Sequence, residues 1–258
     1  MKDGFADKVA VVTGAARGIG RAIAEELHAR GARVLLVDCN AARVEETAKS
    51  MRSADGSGPR FIVADLAEPA EIEALAQEVA ALETKVDVLV NNAGIEVDIC
   101  FEKITPEWFD RVIAVNLRAP FLMSQALAPL FPSSGGAIVN ISSIHADHAF
   151  PNAIPYACSK AGLVALTRNL ALELAHRNIR VNAVCPGYID TPMWDEYLQA
   201  ASDPKALASE TEALHPLGRR GLPKDVASAV VYLASHDAAW VTGTHLAVDG
   251  GLTIRTHP

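Results

Sequence analysis

Short apolar runs recur along the chain, each followed by a longer stretch in which apolar residues return every three or four positions. Residues 8–13 (KVAVVT), 33–38 (RVLLVD), 60–65 (RFIVAD), 87–91 (DVLVN), 137–141 (AIVNI), 180–184 and 245–248 read as strands. Residues 17–30, with Ile19, Ile23 and Leu27 on one stripe, read as a helix, as do 41–53, 69–83, 107–128 and 153–176. Unbroken Val/Ile/Leu runs suit strands covered on both faces. Strand–helix alternation with right-handed crossovers then predicts an α/β fold: one doubly wound (Rossmann) parallel sheet of about seven strands, helices on both sides. No linker, repeat or low-complexity tract interrupts it, so residues 1–258 read as a single domain. Residues 192–215, carrying Met193, Trp194, Tyr197 and Leu198, are longer than a simple connection and suit a substrate lid as well as core packing.

Composition narrows the function. Half the residues are hydrophobic and the net charge is −8, which disfavours nucleic-acid or anionic-membrane partners, both of which call for a basic face. No apolar run is long enough to span a bilayer. The first residues lead almost directly into a strand without secretory features, so a cytoplasmic location is expected. Cys39, Cys100, Cys158 and Cys185 show neither CxxC nor zinc-like spacing, and no metal site is expected. Cys185 reads as packing, and Cys158 as facing away from its neighbours Tyr156 and Lys160.

The first strand runs into Thr13-Gly14-Ala15-Ala16-Arg17-Gly18-Ile19-Gly20 and then a helix. Glycines there let backbone approach a pyrophosphate, which the helix N-terminus attracts. A plain tight turn would also use glycine. Asp38, ending the second strand about 20 residues on, is placed to bind ribose hydroxyls and to repel a 2′-phosphate, which favours NAD over NADP. Arg17 is the contrary residue, since a guanidinium can pair with that phosphate. Asn91-Asn92-Ala93-Gly94 ends the fourth strand at the sheet edge where ligands bind.

Tyr156 and Lys160 lie one helical turn apart on one face. A nearby ammonium and a positive nicotinamide ring both favour the phenolate, making Tyr156 useful as an acid or base. Such a pair also occurs on ordinary helix surfaces. Ser142 and Ser143 follow the fifth strand, so one hydroxyl should enter the same crevice. Asn116 is a polar amide between Val115 and Leu117 in the 107–128 helix.

The set TGAARGIG, NNAG, Asn116, ISS, Tyr156-x-x-x-Lys160, Pro186-Gly187 and Val248-Asp249-Gly250-Gly251 resembles the short-chain dehydrogenase/reductase family, from about residue 8 to 251. The resemblance implies that Tyr156 is the general acid/base, that Ser143 holds the substrate oxygen, that Lys160 lowers the tyrosine pKa and binds the nicotinamide ribose, and that Asn116 holds a relay water. It further implies that Asp65 and Leu66 flank the adenine, that Asn92, Ala93 and Gly94 lie on the cofactor side, and that Ile189 and Thr191, after Pro186 and Gly187, contact the carboxamide. The family is often tetrameric.

Substrate choice should lie in the loops after strands four to six. Glu96, His145, Asp147 and Trp194 are candidate substrate contacts; Asp98 adds an acceptor on the same rim, while His148 reads as solvated. The expected activity is NAD-dependent oxidation of a secondary alcohol, with sugars or polyols favoured. An NADPH-dependent 3-oxoacyl or other carbonyl reductase and a non-catalytic NAD-sensing protein are the competing readings.

Overall fold

The computed structural model of the chain describes residues 4–53, 56–96 and 98–255. Its seven strands, β1 (Val9–Thr13), β2 (Arg33–Asp38), β3 (Arg60–Val63), β4 (Val88–Asn91), β5 (Gly136–Ile141), β6 (Ile179–Pro186) and β7 (His245–Val248), form one sheet in the order β3-β2-β1-β4-β5-β6-β7. Every pairing is parallel. The helices are α1 (Gly18–Ala29), α2 (Ala41–Ser50), α3 (Pro69–Leu82), α4 (Pro106–Ile113), α5 (Ala119–Leu127), α6 (Ile154–Leu174), α7 (Pro192–Ala200), α8 (Pro204–Leu214) and α9 (Pro223–Ala234). This is the doubly wound sheet that the hydrophobic pattern predicts.

The uniform apolar strands have a direct cause. Successive side chains of a strand point to opposite faces, and both faces here are covered. Ala10, Val12, Val34 and Leu36 pack with Ile23 and Leu27 of α1 and with Val226 and Val230 of α9. Val9, Val11, Leu35 and Val37 pack on the other side with Ile72 and Leu75 of α3, Met123 and Leu127 of α5 and Ala171 of α6. Truncating one of these fully buried Leu or Met side chains to Ala would cost about 2–5 kcal/mol.

Most element ends fall within a few residues of the sequence reading. The 107–128 segment is the exception, because it is not one α-helix. α4 stops at Ile113, a π turn covers Ala114–Arg118, and α5 follows. Pro120 explains the break, since it has no N–H to donate to the carbonyl of Asn116 four residues before it. The wider turn that results carries Asn116, whose side chain is fully buried.

β1 and β4 lie side by side where the strand order reverses, and the connections on either side diverge above their C-terminal ends. At the opposite end Asp87 pins the two strands together. Its carboxylate accepts the N–H of Val9 at 3.0 Å and pairs with Lys8 at 2.9 Å and Lys85 at 3.0 Å. Burial pushes this carboxyl up, but those partners outweigh it and hold the group below the usual range. Among the described residues, no helix is long and apolar enough to cross a membrane.

Candidate active site

Gly14 (φ +63°) and Gly18 (φ +59°) take the left-handed conformation that turns β1 into α1. Gly20 is required for a different reason: a Cβ there would stand 2.1 Å from the Gly14 carbonyl oxygen and 2.4 Å from Asn92 Nδ2. Asn92 braces the turn, its Nδ2 donating to the carbonyls of Thr13 (2.9 Å) and Gly14 (3.1 Å). Thr13 Oγ1 in turn accepts from the N–H groups of Asn92 (2.9 Å) and Ala93 (3.0 Å). Asn91 is structural, buried and bonded to Asn140 at 2.9 Å. No side chain caps α1 and no acidic residue lies in its first turn, so its free N–H groups and positive dipole end suit an anion.

The Asp38 carboxylate lies against that turn, accepting from Ala16 N–H (3.1 Å) and Asn40 N–H (2.9 Å). Each oxygen retains acceptor capacity toward a hydroxyl. Thr191 Oγ1 accepts from Trp194 N–H at 3.3 Å and so caps α7, while its methyl comes within 3.6 Å of where a Gly18 side chain would begin. Pro186 ends β6, Gly187 N–H donates to Val248 O at 3.1 Å, and Ile189 is buried. Ile19 packs on the core and Leu66 is buried within it. Asp65 is paired with Arg111 at 2.8 Å. Arg17, the residue that could favour a phosphate, is held by Glu196 of α7. These residues fit a dinucleotide, which Gly14, Gly18 and Gly20 would hold at its pyrophosphate and Asp38 at a ribose.

The chemical groups meet above β5. Lys160 is buried, its Nζ donating to Ile141 O at 2.8 Å and lying 5.4 Å from the Tyr156 ring centre. Ser142 is turned to structure, donating to Lys160 O at 2.9 Å, while Ser143 Oγ accepts from His145 N–H at 3.2 Å. Gly94 passes so close that a Cβ would stand 3.4 Å from Lys160 Nζ. Burial pushes the Lys160 ammonium down to about 8, against the pull of Glu96. Burial and the Glu96 carboxylate push the Tyr156 phenol up, with a hydrogen bond to Ser143 acting the other way. The chain's own groups therefore do not lower the tyrosine pKa as the spacing suggests. Desolvation is the largest influence and the Ser143 hydrogen bond does not offset it.

A wall of aromatic rings runs outward from Tyr156. His145 meets it edge-on at 5.2 Å and stacks on Phe150 at 4.2 Å. Phe150 touches Tyr188 at 6.4 Å, and Tyr188 touches Trp194 at 5.4 Å and His215 at 6.0 Å. Burial and Lys160 push His145 down to about 4, so it is neutral at pH 7. Its Nδ1 is buried without a hydrogen-bond partner, as is Nε1 of the buried Trp194. Glu96 is open to water yet set among dense protein; burial and Asp98 push its carboxyl up against the pull of Lys160. Its charge also raises the Tyr188 and Tyr197 phenols, after burial. Asp147 is instead paired with His245 at 3.0 Å.

A family model described as enoyl-(acyl carrier protein) reductase matches residues 14–253. The chain belongs to the short-chain dehydrogenase/reductase family. It is 37% identical to the 3-oxoacyl-[acyl-carrier-protein] reductase FabG of Thermotoga maritima, over 96% of this chain and 98% of the relative. The aldohexose dehydrogenase of Thermoplasma acidophilum superimposes with a TM-score of 0.86 at 37% identity, covering 98% of both chains. A Beutenbergia cavernae protein assigned as an NAD(P)-dependent gluconate 5-dehydrogenase, crystallised with NADP at low occupancy, gives a TM-score of 0.88 at 40% identity, over 97% of this chain and 98% of the other.

In this short-chain dehydrogenase/reductase the glycine turn and the side chains of Ser143, Tyr156 and Lys160 share one sheet edge. Tyr188, Phe150 and His215 complete its crevice, yet the sequence did not single them out. Tyr188 had one usable signal, its place directly after Pro186-Gly187 at the end of a buried strand. Phe150, although in the same β5–α6 loop as His145, carries no polar or periodic signal, and His215 reaches the crevice from the distant end of α8.

Proposed function

We propose that the protein oxidises a secondary alcohol with NAD, the substrate being a sugar or polyol hydroxyl. The observation that carries the chemistry is the convergence of Ser143, Tyr156 and Lys160 at the edge where the glycine turn and Asp38 lie. Ser143 holds the substrate oxygen, and Tyr156 Oη takes its proton. Lys160 holds the nicotinamide ribose, and Asn116 supports the proton path. Bound NAD supplies the hydride acceptor and a positive ring that favours the phenolate. The polyol reading draws on the polar groups of the crevice and on the likeness to an aldohexose dehydrogenase.

One observation favours a reading with NADP and carbonyl reduction. Arg17, Arg21 and Arg43 line a cavity of about 260 Å³ beside the turn. Against it, Arg17 and Arg21 already hold Glu196 and Glu25, and Glu46 lines the same cavity. With Asp38 alongside, the balance favours an unphosphorylated ribose.

The assembly is a homotetramer in a cytoplasmic setting, with no nucleic-acid or membrane partner. Exposed Trp108, Phe109, Phe121 and Leu172 on α4–α6, and Trp240 and Leu246 around the edge strand β7, support self-association. The deciding assay measures NADH and NADPH formation across sugars, polyols, cyclic alcohols and hydroxysteroids. Turnover of hydroxyl-rich substrates with NAD supports the proposal, and a strong preference for NADP overturns it.

A further inference from the structure

We propose that Arg220 is a positioning residue for the alcohol: from behind the aromatic wall it holds Trp194 and the two helices of residues 192–215 in one place, so that the substrate meets a fixed surface instead of a moving lid. This rests on the alcohol oxidation proposed above and adds to it a residue that acts through Trp194.

The place of Arg220 follows from its neighbours in the chain. Gly221 N–H donates to Tyr188 O at 2.9 Å, and Asp190 N–H donates to Gly221 O at 2.8 Å. This parallel bridge between Ile189 and Gly221 lays the strip along the exit of β6. Glycine is needed there, because a Cβ on Gly221 would stand 2.4 Å from Ile189 Cδ1. The two arginines before it then part. Arg219 turns to the start of α9, where the Asp225 carboxylate accepts from it at 2.6 and 3.1 Å.

Arg220 turns to α7 and α8 instead. Its Nε donates to Asp190 Oδ1 at 2.6 Å, and its Nη1 donates to Ala208 O at 3.0 Å and pairs with Glu212 at 3.0 Å, both on α8. Its Cζ lies 5.4 Å from the centre of the Trp194 ring on α7. One side chain, 13% exposed, thus joins three segments. A planar guanidinium can bond along its edges while its face lies on an indole, which the point charge of a lysine cannot do.

What Arg220 fixes is the wall itself. Trp194 meets Tyr188, and the rings continue through Phe150 and His145 to Tyr156. The same segment carries Trp194 Nε1 and His215 Nε2, both buried without a hydrogen-bond partner. Swinging the segment outward would give both atoms water, so a restraint has to oppose that movement. The charge-assisted bonds of Arg220 supply it. Side chains that shape a site hold their geometry only when the groups behind them are locked in this way.

The test makes Trp194 its own reporter, after Trp108→Phe and Trp240→Phe remove the two exposed tryptophans. In that background Arg220→Ala should shift Trp194 emission to longer wavelength and raise its quenching by acrylamide. Guanidinium chloride at millimolar concentration should reverse part of both changes. KM for D-glucose or cyclohexanol, read by NADH formation, should rise roughly tenfold, while kcat and the calorimetric affinity for NAD change by less than about twofold. Arg220→Lys, which keeps the charge without the fork, should fall in between. Should Arg220→Ala fail to fold, Glu212→Gln and Asp190→Asn each remove one arm and should move emission and KM the same way, by less. Unchanged emission, unchanged KM, or losses in kcat and NAD affinity as large as that in KM overturn the role of Arg220. If no alcohol is oxidised, the functional reading fails by itself, and Trp194 emission with guanidinium rescue still decides whether Arg220 holds the wall.

Discussion

The side chain of Asn116 accepts from the backbone N–H of Ile95 and donates to its C=O, at 2.9 Å each, from a position with no exposure to solvent. It does for the chain leaving β4 what a neighbouring strand would do, and it ties that chain to α6 through Ser159. Asn116→Leu would keep the volume but leave the Ile95 N–H and C=O unpaired. We expect a loss of about 2–4 kcal/mol in stability together with a fall in kcat/KM. Urea titration measures the first, and a loss below about 1 kcal/mol would show that the clasp is not needed.

Tyr156→Phe removes the one hydroxyl able to take the substrate proton. Turnover should drop by roughly 10²- to 10⁴-fold while NAD still binds. Steady-state kinetics and a fluorescence titration read the two separately. Activity near wild type would remove Tyr156 from the mechanism.

Cofactor choice should respond to two carboxylates. Asp38→Ser takes away the ribose acceptor and the repulsion, so kcat/KM should fall with NAD and rise with NADP. Glu196→Gln frees Arg17 from its partner and should improve NADP alone, by a few-fold. If neither variant moves the NAD-to-NADP ratio, the nucleotide's ribose lies elsewhere.

His145 should leave a mark on acid stability. Its pKa is held at about 4 in the fold by burial and by Lys160, below the ordinary 6.5. Between those values the unfolded chain carries a proton that the folded chain does not, so stability falls as pH is lowered through that window. His145→Gln abolishes this contribution, and its melting temperature should drop less between pH 6.5 and 4. Identical slopes in the two proteins would contradict the burial of a neutral ring.

The sheet and the order of its elements were legible because each strand is apolar on both faces and each helix has a stripe, as in β1 and α1. The glycine turn and Asp38 could be read in the same way, because short local spacing determines where they fall. What the chain hides is contact between distant segments. Nothing around Ile95 announces Asn116, the pairing of Asp147 with His245 joins residues far apart in sequence, and Arg17 meets its partner only once α7 has folded over the turn. The π turn was missed for a simpler reason, since the helical period continues through Pro120 and only the missing N–H reveals it. The raised phenol of Tyr156 escaped because spacing shows which groups are neighbours and not how much water each has lost.

The strand order has a consequence for heredity. The chain up to α3 supplies strands β1, β2 and β3, and the chain from β4 onward supplies β4 to β7 together with helix α9, which packs back on β1 and β2. Gly14, Gly18, Gly20 and Asp38 lie in the first part, whereas Glu96, Asn116, Ser143, Tyr156 and Trp194 lie in the second. A single crossover in the short stretch 83–87 would therefore divide the sheet between β1 and β4. On the function proposed above, two relatives recombined there would be expected to transmit cofactor preference mainly with one parent and alcohol preference mainly with the other.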